Sequence, residues 1–246
     1  MKKLFQGEEI VHGAKILGDM MKKSASTVVL TGAGMDTESN IPDFRGKNGL
    51  WRNMNPMLVA SIDNFYNNYN EFHDYYTTRI KRLEDVKPHE GHYILADFEK
   101  RGIIKSIATQ NVSGLHHMAG SNSVYELHGN IKRAVCNSCR REASLDDFLN
   151  KQKCQHCGDL LRPAVVLFGE ALPRDMWSLA EKDIKNCDLL IVIGTSLEVY
   201  PVNQFPRMAR GRIALINNED LSYGREFDIK LIGRAKEVLQ ELSRNV

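Results

Sequence analysis

The 246-residue chain is 42% hydrophobic and 26% charged, which excludes disordered, collagen-like and short-repeat solenoid classes and leaves one large domain with room for a smaller companion. Thirty-three Lys and Arg against 31 Asp and Glu leave a net charge of +2, too weak to point to nucleic acid or an anionic membrane as partner. No apolar run approaches the roughly 18 residues of a membrane helix, MKKLFQGEEIVHG lacks a secretory apolar stretch, and four of the five cysteines form two CxxC pairs, so the expectation is a cytoplasmic protein with one bound metal.

Ile10, Ala14, Leu17 and Met21 fall on one face of a predicted amphipathic helix. Thr27-Val28-Val29-Leu30-Thr31 is β-branched and apolar, a strand that runs into the tight turn Gly32-Ala33-Gly34. Residues 36–87, rich in Asn, Tyr and Phe, read as a loop plus helices beside the sheet. A helix is expected over His89–Arg101, carrying Ile94, Leu95 and Phe98 and stopping at Gly102. Buried parallel strands are expected at Ile103–Thr109, Ala164–Phe168, Asp188–Gly194 and Arg212–Asn217, with helices at Arg174–Lys185 and Ala235–Leu242. This alternation predicts an α/β fold with a Rossmann-like, doubly wound parallel sheet and ligands at its carboxyl edge. The expected division assigns 1–35, 88–131 and 162–246 to a Rossmann-like domain, 36–87 to a cofactor loop and helical module, and 132–161 to a zinc-binding module.

Cys136 and Cys139, then fourteen residues, then Cys154 and Cys157 offer four thiolates in two knuckles, the set tetrahedral Zn²⁺ accepts. Four sulfurs close the shell, so the metal would be structural; redox CxxC pairs or free thiols are the competing reading. Cys187 reads as a small buried hydrophobe.

Thr31-Gly32-Ala33-Gly34 resembles the start of a dinucleotide fingerprint, but the third position is Thr37, and Arg52-Asn53-Met54-Asn55, some twenty residues on, supplies no acid for a ribose hydroxyl. That counts against a hydride-transferring dehydrogenase. Asp43-Phe44-Arg45 offers amides, an aromatic face and a guanidinium to a phosphorylated ligand, and Gly194-Thr195-Ser196 ends another strand with small and hydroxyl groups. Each could be an ordinary turn, yet their recurrence at one sheet edge favours a nucleotide site. His128, in Glu126-Leu127-His128-Gly129-Asn130, is a candidate general base, with His89, His92, His116 and His117 equally eligible on residue type.

Gly32-Ala33-Gly34, Ile41-Pro42-Asp43-Phe44-Arg45-Gly46, Thr109-Gln110-Asn111, Leu127-His128-Gly129-Asn130, the four cysteines, Phe168-Gly169-Glu170, Gly194-Thr195-Ser196-Leu197 and Asn217 occur in one order between about Val28 and the final helix. Together they resemble the sirtuin family of NAD-dependent protein deacylases. The resemblance implies that NAD and an acylated lysine of a protein or peptide meet between a Rossmann-like domain and a smaller part, giving nicotinamide, O-acyl-ADP-ribose and free lysine. It places Gly32, Ala33, Gly34, Asp36, Asp43, Phe44, Arg45, Gln110, Asn111, Ser113, Gly194, Thr195, Ser196, Asn217 and Ala235 about the cofactor. His128 would be the base, with Asn111 beside it, and Val166, Phe168, Gly169, Glu170, Leu197 and Val199 would pair with the substrate peptide. A neutral imidazole is needed, so activity would fall below pH about 6.5. Ala60 and Tyr76-x-x-Arg79 resemble the desuccinylase-type branch, where phenol and guanidinium bind a distal carboxylate; an amphipathic helix with a packed Tyr and a solvated Arg is the other reading.

The chain departs from the family at Asp36, where Ser is usual, at Asn40, where Gly is usual, and at Ser113, where Asp is usual. Asp36 could replace the carboxylate that Ser113 lacks, or merely cap the following helix. ADP-ribosyl transfer, NAD hydrolysis and a weakly active NAD or ADP-ribose sensor are the alternative functions. Oligomeric state is not encoded in any of these motifs.

Overall fold

Thr27-Val28-Val29-Leu30-Thr31 has no polar face to offer water, and it is accordingly buried along its whole length between two neighbouring strands. In the computed structural model, which describes residues 4–44, 49 and 55–246, the strands are β1 (Leu4–Gln6), β2 (Thr27–Thr31), β3 (Ser106–Thr109), β4 (Val124–Glu126), β5 (Gly129–Cys136), β6 (Glu142–Ala143), β7 (Leu161–Val165), β8 (Leu189–Ile193), β9 (Arg212–Asn217) and β10 (Ile229–Ile232). The helices are α1 (Ile10–Lys23), α2 (Pro56–Val59), α3 (Ile62–Asn67), α4 (Tyr69–Lys81), α5 (Glu90–Lys100), α6 (Leu115–Met118), α7 (Leu145–Leu149), α8 (Arg174–Asn186), α9 (Phe205–Met208) and α10 (Ala235–Ser243).

Among the described residues a 7-stranded sheet runs β1-β10-β9-β8-β2-β3-β4, and every pairing in it is parallel. Successive residues of the central strands face opposite layers, as a pleated strand requires. Val29, Ile191 and Ile193 pack with α1, α5 and α10, whereas Leu30, Leu190 and Val192 pack with α8 and α9. The chain steps from β2 to β3 to β4 and then returns to the other side of β2 with β8, so the strand order reverses there and a crevice opens at the carboxyl ends.

A second, 3-stranded antiparallel sheet, β6-β5-β7, carries the cysteine-bearing segment. Phe65, Phe72, Tyr76 and Ile80 from α3 and α4 form one core with Ile131, Phe148, Leu161 and Val165, so the helices after residue 60 and the cysteine module share a hydrophobic centre. This overturns the expectation of a parallel strand at Ala164–Phe168. The strand is Leu161–Val165, antiparallel to β5, and the apolar residues beyond it cover the second core instead of entering the large sheet. Strand β3 likewise starts at Ser106, three residues later than expected, because the N–H groups of Ile103 and Ile104 instead donate to Phe98 O near the end of α5. No helix among the described residues is long and apolar enough to cross a membrane.

Candidate active site

The turn after β2 and the turn after β8 are interlocked. Gly32 N–H donates to Ile193 O at 3.0 Å and Gly34 N–H to Gly194 O at 2.8 Å. A Cβ on Gly34 would come within 2.8 Å of Gly194 Cα, and one on Gly32 within 2.6 Å of Thr195 Cβ, so the close approach excludes any side chain. The glycines therefore serve the packing of two loops as well as leaving backbone bare for a ligand.

Around this pair the carboxyl ends of β3, β4 and β9 bring in their side chains, and a cavity of about 740 Å³ opens between the two sheets. Gln110 Nε2 donates to Thr195 Oγ1 at 3.0 Å, and Asn111 Nδ2 donates to Gly32 O at 3.0 Å. His128 Nδ1 lies 3.0 Å from Gln110 O. Because a carbonyl only accepts, Nδ1 carries the proton and Nε2 holds the lone pair. Burial lowers the His128 pKa from its ordinary value, opposed by the bond to the Gln110 carbonyl, so the imidazole stays neutral to more acid pH than a free histidine.

The other histidines are taken up elsewhere. His89 Nδ1 accepts from Gly91 N–H and caps α5, while its Nε2 bonds Met35 O. His116 is enclosed against Thr31 Oγ1, and burial drives its pKa down to about 3. His92 is fully buried beside Asp36, and His117 Nδ1 bonds Ser121 O. Only His128, of these five, lines the cavity.

The cavity wall also includes Ala33, Gly34, Asp43, Phe44, Gln110, Asn111, Gly194, Thr195, Ser196 and Asn217 from the expected cofactor set, and Ala60, Tyr76, Arg79, Val166, Phe168, Gly169, Glu170 and Val199 from the expected substrate set. Gly32, Asp36, Ser113, Leu197 and Ala235 lie off the wall, and Arg45 falls outside the described residues. Sequence reasoning missed Tyr75, Val112, Val165, Leu172, Asn218, Glu219 and Leu221, lining residues whose types carry no signal on their own.

Asp36 and Ser113, 77 positions apart, touch directly. Ser113 Oγ donates to Asp36 Oδ2 at 2.7 Å, and His92 Nε2 lies 3.2 Å from Asp36 Oδ1. Asp36 makes no capping bond, so the helix-cap alternative fails, and both members of the pair are buried. Asn40 has φ +62, the left-handed conformation that Asn tolerates in place of Gly.

On the acyl side, Arg79 Nη1 donates to the Tyr75 hydroxyl at 3.3 Å, and its guanidinium carbon lies 5.4 Å from the Phe44 ring centre. Tyr76 is 2% exposed and its pKa is raised by burial, so its phenol stays protonated as a donor. In the small sheet the four cysteine Sγ atoms all lie within 4.8 Å of one another, with Cys136–Cys157 at 3.4 Å and Cys139–Cys154 at 3.8 Å. Tetrahedral zinc with sulfur ligands sets S···S separations of about 3.8 Å, so the donor set fits. A divalent cation would supply the positive charge that four clustered thiolates require.

A family model described as the Sir2 family matches residues 32–201. An NAD-dependent protein deacetylase of Oceanobacillus iheyensis is 41% identical over 220 residues, covering 88% of this chain and 93% of that protein. NAD-dependent protein deacylase 2 of Archaeoglobus fulgidus is 39% identical over 249 residues, 97% of this chain and 96% of that protein. A solved structure described as a Sir2–p53 peptide–NAD⁺ complex superposes with a TM-score of 0.86 at 33% identity, covering 94% of this chain and 97% of that one.

Proposed function

The chain belongs to the Sir2 family and is an NAD-dependent protein deacylase, and we propose that His128 is its general base in a reaction on acylated lysine side chains of proteins. The observation that carries the assignment is the tautomer of His128: its Nδ1–H is spent on Gln110 O, which leaves Nε2 as the acceptor in the one imidazole on the cavity wall among the histidines considered. NAD, when bound, supplies an electrophilic ribose carbon and a nicotinamide leaving group.

Ala33, Gly34, Thr195, Ser196 and Asn217, at the carboxyl ends of β2, β8 and β9, would hold the ADP-ribose half. Gln110 and Asn111, both fixed by side-chain hydrogen bonds, would orient the nicotinamide ribose, and His128 Nε2 would take the proton released from its hydroxyls. Phe44, with Asp43 beside it, would cover the reacting carbon and exclude water. Val166–Glu170 and, from the segment Leu197–Tyr200, the lining residues Glu198, Val199 and Tyr200 would bracket the peptide, which adds as a strand. Ala60, Tyr76 and Arg79 all line the cavity, supporting acceptance of a succinyl as well as an acetyl group. The cysteine cluster would hold one structural Zn²⁺. A four-cysteine metal set in place of a disulfide framework supports a reducing, cytoplasmic setting.

The test is mass spectrometry of acetyl-, succinyl- and long-acyl-lysine peptides incubated with NAD and the protein. Nicotinamide release that needs the peptide and yields O-acyl-ADP-ribose is expected. Release without peptide would mark a hydrolase, and no release would mark a sensor.

A further inference from the structure

Arg162, on β7, is 3% exposed, and a guanidinium that deep needs a reason to be there. Its Nη1 and Nη2 donate to Glu170 Oε2 at 2.9 Å and Oε1 at 2.8 Å. The same carboxylate accepts the backbone N–H of Leu167 at 2.9 Å, while Glu170 N–H returns to Leu167 O at 3.0 Å. Residues 167–170 are therefore a turn closed twice, once by backbone and once by the Glu170 side chain. Gly169, at its third position, has φ +92, which L side chains rarely adopt. Phe168 N–H donates to Ala60 O and its carbonyl accepts from Ile62 N–H.

Buried ion pairs are poor stability devices, since well-packed apolar residues of equal volume do as well or better. What an apolar pair could not do is accept the Leu167 N–H and set the turn. The strut also has a second foot: Arg140, the residue after Cys139, places Nη2 3.7 Å from Glu170 Oε1, which ties the turn to a cysteine knuckle.

We propose that Arg162 is a positioning residue for substrate recognition: through Glu170 it fixes the Leu167–Glu170 turn as a preformed edge for the acyl-lysine peptide, with Arg140 coupling that edge to the metal module. The proposal rests on the functional reading in which Val166–Glu170 borders the peptide. It predicts that the strut governs peptide affinity and leaves the cofactor half untouched, because Arg162 and Arg140 lie outside the cavity wall and Glu170 meets it only within the peptide-bordering segment Val166–Glu170.

The experiment compares the zinc-loaded full chain with Arg162→Lys, Arg140→Ala and the double variant Arg162→Met/Glu170→Met, which removes both charges together. Each is assayed for KM of an acetyl-lysine peptide, Kd of ADP-ribose and thermal midpoint. The double variant should raise the peptide KM about tenfold or more, the size of one lost hydrogen bond to a charged group, with the ADP-ribose Kd within about twofold. Arg162→Lys should fall between, because a point charge replaces a fork, and Arg140→Ala should raise the KM by about two- to threefold, as for a partly exposed pair. A folded double variant with unchanged peptide KM overturns the strut, as does an ADP-ribose Kd that rises in parallel or an unchanged peptide KM in Arg162→Lys, the variant that leaves the wall residue Glu170 in place. Should the double variant not fold, unchanged KM in both single variants overturns it instead. Wild-type protein that releases no nicotinamide with any acyl-lysine peptide refutes the functional reading itself, and this proposal with it.

Discussion

Exchanging Asp36 and Ser113 is the sharpest perturbation available, because both side chains are nearly sealed from solvent, 3% and 4% exposed, and bond each other at 2.7 Å. A hydrogen bond to a charged acceptor contributes about 1.5–3 kcal/mol, and a buried donor left without its partner costs a similar amount. Asp36→Ser removes the carboxylate that Ser113 and His92 share, and should cost about 2–3 kcal/mol. Ser113→Asp sets two carboxylates about 3 Å apart; at an effective dielectric of about 20 their repulsion is about 5 kcal/mol, relieved when one takes up a proton. The double variant again has one carboxylate and one hydroxyl in the same space. Urea denaturation of the four proteins, with nicotinamide inhibition measured in parallel, should give a favourable coupling of about 2 kcal/mol or more and recovery of much of the lost turnover. Effects that add to within about 0.5 kcal/mol would show that the positions do not compensate. Ser113→Asp alone raising activity would have the same meaning.

His128→Ala should abolish peptide-dependent nicotinamide turnover while ADP-ribose still binds, checked by calorimetry beside a steady-state assay. The acid limb of kcat/KM should lie below pH 6.5, because burial lowers the His128 pKa and the neutral form persists as pH falls; a limb above 6.5 contradicts the burial argument. Metal analysis should find one Zn²⁺ per chain on Cys136, Cys139, Cys154 and Cys157, and chelation should lower the thermal midpoint by loosening the core shared with α3 and α4. Arg79→Met should weaken desuccinylation at least tenfold more than deacetylation, about the contribution of a charge-assisted bond; equal losses would refute a carboxylate clamp at Ala60, Tyr76 and Arg79.

Long apolar runs were readable because a strand covered on both faces has no alternation to hide: Thr27–Thr31, Leu189–Ile193 and Arg212–Asn217 fall within or match the expected segments. Strands β1, β4 and β10 span only 3, 3 and 4 residues, too short for any period to stand out, and they are strands because parallel neighbours pair with them. Ala164–Phe168 misled for a different reason. Apolar composition reports that a segment is covered, and two cores in one chain give two ways to be covered; only pairing with β5 decides between them.

The site followed the same division between local and distant information. Glycine turns and the residues just beyond strand ends are local, and topology then gathers them at one sheet edge, which is why most of the expected cofactor residues line one cavity. Partnerships across the chain leave no local trace. Choosing among five histidines required seeing which nitrogen was already spent, and a serine standing for an aspartate at 113 acquires meaning only beside Asp36. Arg162 is the extreme case: in sequence it is a cation beside a proline, and in the fold it is buried with both terminal nitrogens on Glu170. Desolvating such a charge is expensive unless its partner is placed well, so the position of the turn and the identity of residue 162 constrain each other. That mutual constraint is why a substitution at Arg162, outside the cavity wall, should be read first in peptide affinity.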